Sequence, residues 1–103
     1  QTAVAAAIEI IEAFSKGTFP METASLPGTP TYRSAWKTAI DAAEEFNDPG
    51  RFTAFIGYEW TSLVKGNNMH RVVIYRDGGN QARQTLPFTL ADSADPEDLW
   101  EFM

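Results

Sequence analysis

The sequence of 103 residues has no cysteine. It can therefore hold no disulfide and no thiolate metal site. It has a single histidine, His70, which excludes any centre needing two imidazoles from these residues alone. Basic residues are sparse: eight Lys and Arg stand against fourteen Asp and Glu, for a net charge of -6. Nucleic-acid binding domains carry a basic face, so the balance argues against that partner. No apolar run approaches the ~18 residues that a membrane span requires. No Gly-rich phosphate loop is present, because Gly78-Gly79 lacks the Lys-Ser/Thr that follows one. Nothing reads as a signal peptide or other targeting segment.

What is present suits one small unit. The hydrophobic fraction is 44%, but fourteen of those residues are alanine, so the 13 aromatics must supply much of the core. A chain this size buries only ~60–65% of its unfolded surface, which makes the core thin. The last residues, Asp95 to Met103, open a helix: Asp95 is an N-cap, Pro96 suits the first position, and acids crowd the first turn. So strong a start with so little helix after it suggests a single partial domain, 1–103, cut from a larger protein.

Three- and four-residue spacing of Val4, Ala7, Ile8, Ile11 and Phe14 predicts a helix over 3–16, stopped by Gly17. Residues 18–33 hold Pro20, Pro27 and Pro30 and read as a long loop, either functional or packed on structure outside the chain. A second helix is expected from a Ser34 cap to Phe46, with Trp36, Ile40, Ala43 and Phe46 as its stripe. Asn47-Asp48-Pro49-Gly50 ends it.

Residues 52–61 give the strongest strand signal. Phe52, Ala54, Ile56, Tyr58 and Trp60 share one face; Thr53, Phe55, Gly57 and Glu59 share the other. Both faces are largely apolar, which predicts a central, covered strand. Residues 70–76 form a second strand, and the short link across 62–69, with Gly66-Asn67-Asn68, makes the pair antiparallel. Residues 77–94 read as loop. The expected architecture is α+β: two helices, an antiparallel strand pair and a C-terminal helix.

Chemistry concentrates at Glu59 and His70. The hairpin brings the two within reach, and a carboxylate with an imidazole suits zinc, manganese or iron. Glycine at 57 leaves room beside the carboxylate. A hydrogen-bonded structural pair fits the same residues, and two ligands fall short of the three protein ligands usual in catalytic zinc. Asn68 can orient the imidazole. Arg71 can bind a substrate anion, although it and Arg76 equally suit surface ion pairs with the abundant acids. Ser62 and Thr61 lack a base other than His70, which makes a serine nucleophile weak. Trp36, Trp60 and Trp100 suit a core or an interface.

The stretches Phe55-Ile56-Gly57-Tyr58-Glu59-Trp60-Thr61-Ser62 and Gly66-Asn67-Asn68-Met69-His70-Arg71-Val72-Val73-Ile74-Tyr75-Arg76-Asp77 resemble part of a large bacterial family. Ser34-Ala35-Trp36, Asn47-Asp48-Pro49-Gly50-Arg51-Phe52 and Asp95-Pro96-Glu97-Asp98-Leu99-Trp100 fit the same pattern. That family is distantly similar to the PHP (polymerase and histidinol phosphatase) metal-dependent hydrolases. The resemblance implies a parent with a distorted α/β barrel and a divalent-metal cluster acting on a small, phosphorylated substrate. Gly57-Tyr58-Glu59 matches a Gly-x-Glu whose Glu bridges two metals, and His70 matches a single-metal ligand. The His-x-His, the middle His, the later His and the Asp-x-His of PHP enzymes have no counterpart here. On this resemblance the chain contributes ligands but is inactive, and can be metal-free, by itself. The rival expectation is a non-catalytic interaction or oligomerisation module that self-associates through its aromatic strand.

Overall fold

A computed structural model describes residues 2–20 and 26–103. It is a small α+β structure: four helices and a two-stranded antiparallel sheet, in the order α1 (Ala3–Ser15), α2 (Pro30–Phe46), β1 (Gly57–Val64), β2 (Asn67–Ile74), α3 (Gly79–Ala82) and α4 (Pro96–Phe102). Part of the expected 18–33 loop, residues 21–25, lies outside the described residues.

The helices start where side chains cap them. Thr2 accepts from Ala5 N at the head of α1, and Asp95 accepts from Glu97 N at the head of α4. Helix α2 begins one turn earlier than expected. Thr29, not Ser34, is its N-cap, and Pro30 occupies the first turn. Proline lacks the N–H that a first-turn residue leaves unbonded anyway, so Pro30 begins this helix instead of blocking it.

The hairpin also differs from expectation. Residues 62–69 are mostly strand, not link: pairing runs from Gly57↔Ile74 to Val64↔Asn67. Lys65 and Gly66 alone make the turn, both at positive φ (52° and 80°). Two such residues match the twist of the flanking strands, which is why this turn closes hairpins tightly. Asn67 and Asn68 are therefore strand residues. At the other end, pairing begins at Gly57, not at Phe52. Gly57 is needed there for a close approach: a Cβ would stand 2.6 Å from the Val73 carbonyl oxygen. The room anticipated beside Glu59 is thus filled by the neighbouring backbone.

One face of the ribbon is covered. Trp60 (1% exposed), Val73 and Leu99 form one cluster; Trp36, Ile40, Ile56 and Ala82 form another; Tyr58 packs against both. The opposite face is open, with Phe55, Val72 and Ile74 exposed. The central, covered strand is therefore corrected: with two strands, and the clusters that include α2 and α4 on one side, Phe55, Val72 and Ile74 stay uncovered among the described residues. Helix α1 contributes no buried residue, although Val4, Ile8 and Ile11 make an apolar stripe.

The 77–94 stretch is well tied. It contains α3, which the sequence reading missed. Trp36 Nε1 donates to the carbonyls of Ala82 and Thr85, and Tyr32 Oη donates to Pro87 O. Gly79 N donates to Glu44, Arg83 pairs with Asp41 at 2.8 Å, and Ser62 Oγ donates to Ala94 O. These bonds pin an irregular segment across α2 and the hairpin.

Candidate functional site

The hairpin register decides the site. His70 pairs with Thr61, and Glu59 pairs with Val72. Alternation along a strand puts residues two apart on the same face. Glu59, Thr61, Asn68 and His70 therefore share the open face, near the middle of the ribbon and not at its edge.

Their contacts form a short network. His70 Nδ1 lies 3.0 Å from Glu59 Oε1 and 2.9 Å from Thr61 Oγ1. Thr61 Oγ1 also donates to Glu59 Oε1 at 3.4 Å. On the far side of the ring, Asn68 Nδ2 is 3.2 Å from His70 Nε2. One assignment satisfies all four groups: Nδ1–H donates to Glu59, and Nε2 accepts from the Asn68 amide. Both key side chains are accessible, His70 at 50% and Glu59 at 58%. Glu59 therefore carries no burial cost in this strand, contrary to what its apolar sequence neighbours suggest.

The anticipated residues separate into two groups. Glu59, His70 and Asn68 come together. Arg71 pairs with Trp60 and falls on the opposite face of the ribbon, where its guanidinium donates to the His70 carbonyl oxygen at 2.9 Å. Arg76 lies 3.7 Å from Asp77. Ser62 is buried and donates to Ala94 O, which removes it from any reacting position. Thr61 was undervalued in the sequence. Its place opposite His70 is a matter of register, and register depends on the Lys65-Gly66 turn, a signal that the flanking Val64 and Asn67 obscured.

A shallow cavity of about 250 Å³ opens beside Glu59, walled by Tyr32, Trp36, Gly57, Tyr58 and Pro87. Burial pushes the Tyr58 hydroxyl up to about 12, against the lowering effect of its hydrogen bond from Phe88 N. Burial, then nearby Asp92, raises Tyr32 as well. Both phenols stay protonated near neutrality and act as hydrogen-bonding walls, not as bases.

The donor set can be tested against a metal. Ligands on bonds of about 2.1 Å stand about 3.0 Å apart in octahedral geometry and about 3.4 Å apart in a tetrahedral zinc site. Glu59 Oε1 and His70 Nδ1 stand 3.0 Å apart. That is hydrogen-bond length; the pair fits octahedral neighbours as it stands, and a tetrahedral centre after opening by about 0.4 Å. Among the described residues no group of three or more His, Cys, Asp or Glu gathers, so any remaining ligands come from elsewhere. No described helix is long and apolar enough to cross a membrane.

Comparison with known proteins gives no match to a curated protein and none to a solved structure. One family model, described as a protein of unknown function, matches residues 1–103, the whole sequence. The chain belongs to that family, DUF3604.

Proposed function

We propose that this chain supplies two adjacent ligands, Glu59 and His70, to a divalent-metal centre of a hydrolase acting on a small anionic substrate such as a phosphoester. The observation that carries the reading is the 3.0 Å separation of Glu59 Oε1 and His70 Nδ1 on an open sheet face. The similarity of Gly57-Tyr58-Glu59 and His70 to PHP-type motifs supports it. When bound, the metal lowers the pKa of a coordinated water and offsets charge developing on the substrate oxygens.

The chain's own residues have separable tasks. Glu59 presents a carboxylate already accepting from Thr61, which limits its rotation. His70 presents Nδ1 on the same side, as a ligand in the tautomer that carries its proton on Nε2. Asn68 steadies the ring from Nε2; with its amide turned over, its Oδ1 accepts from Nε2–H, the contact that a ligating imidazole usually makes. Arg71, on the other face, has no direct part in this arrangement.

The test is elemental analysis of the full-length protein, purified as wild type, Glu59→Gln and His70→Ala. Reduced metal content in both variants is expected, with unchanged far-UV dichroism. Equal metal content in all three overturns the reading. Zinc added back to wild type restores the content, whereas neither variant recovers it.

A further inference from the structure

A second cavity lies at the turn end of the hairpin. About 520 Å³ in volume, it is lined by Phe14, Phe19, Leu63, Val64, Leu90 and Ala94, together with Lys16 and Lys65. Ligand pockets typically span ~300–1,000 Å³ and are mainly apolar with a few placed polar groups. None of its lining residues belongs to the Glu59–His70 network.

Two observations give it a sign. The protein has net charge -6, yet among the described residues the charged ones lining this cavity are two lysines. Lys65 stands on the turn, and among the described residues its ammonium has no ion-pair or hydrogen-bond partner. Lys16 pairs with Glu12 at 2.7 Å, but both side chains are mostly exposed, and such pairs exchange readily for another anion. At the helix end beside the cavity three of the last four carbonyls are taken, Glu12 O by Lys16 N, Ala13 O by Thr18 N and Phe14 O by Gly17 N, so the two lysines must outweigh what remains of the helix's negative end. Deeper in, Phe14 and Phe19 stack with centroids 4.1 Å apart, giving a flat apolar wall.

We infer that this cavity binds a monocarboxylate with an apolar tail, the tail against Phe14, Phe19 and Leu63 and the carboxylate between Lys16 and Lys65. A neutral apolar molecule would leave the lysines unused, and a cation would meet two like charges. A phosphate would favour arginine, which can bind it through two parallel hydrogen bonds, and among the described residues no arginine lines the cavity.

The test is calorimetric titration of the protein with decanoate, decanol and decylamine. Decanoate is expected to saturate one site and to bind more tightly than decylamine. Lys65→Asn removes the charge and keeps a residue that tolerates positive φ, so the turn survives. It should weaken decanoate about fivefold, the range of an exposed ion pair, and leave decanol unchanged. Ala94→Trp, which fills the cavity, should abolish binding of both. Equal affinity for decanoate and decylamine overturns the inference. So does decanoate binding that survives Ala94→Trp in a folded protein, or the absence of any saturable site.

Discussion

Gly57→Ala adds a single methyl group, yet the structure makes it a severe change. The new Cβ would stand 2.6 Å from the Val73 carbonyl oxygen, whereas ordinary contact begins at 3.4 Å. Something must move by nearly 1 Å, and the neighbour is backbone, not a flexible side chain. Moving Val73 outward strains the hydrogen bond from Tyr75 N to Ile56 O, 2.9 Å long, which lies just beyond the Gly57↔Ile74 pair. Overpacking of this kind costs about 1–3 kcal/mol. A weakened hydrogen bond adds about 1 kcal/mol. Replacing glycine in a strand returns about 0.5–1 kcal/mol through the unfolded state. The balance is a loss of about 2 kcal/mol, or roughly 8–16 °C in Tm for a domain of this size. Urea unfolding followed by tryptophan fluorescence reads it directly, because Trp60 and Trp36 sit in the two core clusters. The midpoint should fall while the slope m stays constant. Gly78→Ala is the control: its Cβ would meet only the Glu44 carboxylate at 3.4 Å, and it should cost far less. A Gly57→Ala protein as stable as wild type would mean that β1 and β2 do not approach in this register, and the Glu59–His70 geometry would fall with it.

The remaining predictions concern the same two clusters and the surface. Trp36→Phe removes one indole N–H shared between two carbonyls and should cost about 1 kcal/mol more than Trp60→Phe, whose buried Nε1 has no partner among the described residues; equal losses in denaturant melts count against these indole environments. Leu99→Ala should cost about 2–5 kcal/mol, because Leu99 is 1% exposed and anchors α4 on Trp60 and Val73; a loss under 1 kcal/mol would show α4 undocked. Hydrogen bonds from Lys37 and Arg83 hold the Asp41 carboxyl below its ordinary range. The folded state thus binds that proton less readily than the unfolded state, so Asp41 stabilises above the usual carboxylate pKa and loses this effect as pH falls through its lowered value. Melting curves of wild type and Asp41→Asn should therefore converge at low pH, and a constant gap would refute the assignment. For Tyr58 the sign reverses. With its pKa pushed up to about 12, its contribution is present below pH 10, the phenol's ordinary value, and is lost as pH rises toward 12, so melting curves of wild type and Tyr58→Phe should draw together over that range.

Much of the fold was legible because it rests on short-range chemistry. The caps at Asp95-Pro96, the turn at Asn47-Asp48-Pro49-Gly50 and the antiparallel sense of the strands are encoded within a few residues each. The Glu59–His70 meeting was legible as proximity, and the structure places the two side chains on one face. Its details were not. Whether Thr61 or Ser62 faces His70 turns on a one-residue register, which flips every side chain to the other face. Lys65 at positive φ disguised the tight turn, because lysine gives no glycine-like signal. The order in 77–94 was invisible for another reason. It comes from Trp36, Tyr32 and Glu44, whose partners stand 35 to 55 residues away in the chain. Pro30 misled because the same residue breaks a helix interior and begins a helix first turn.

The Lys65-Gly66 turn also bears on the order in which the molecule assembles. It closes the strands across two residues, so the ribbon carrying Glu59 and His70 can form in about 1–10 μs. A lone hairpin is at best marginally stable in water. It persists only when Trp36, on α2, and Leu99, on α4, dock against its covered face, and those contacts close much longer loops. The Glu59–His70 pair can thus meet early and be secured late: a change far from it, in α2 or α4, would act on it by lengthening the time the ribbon spends unheld.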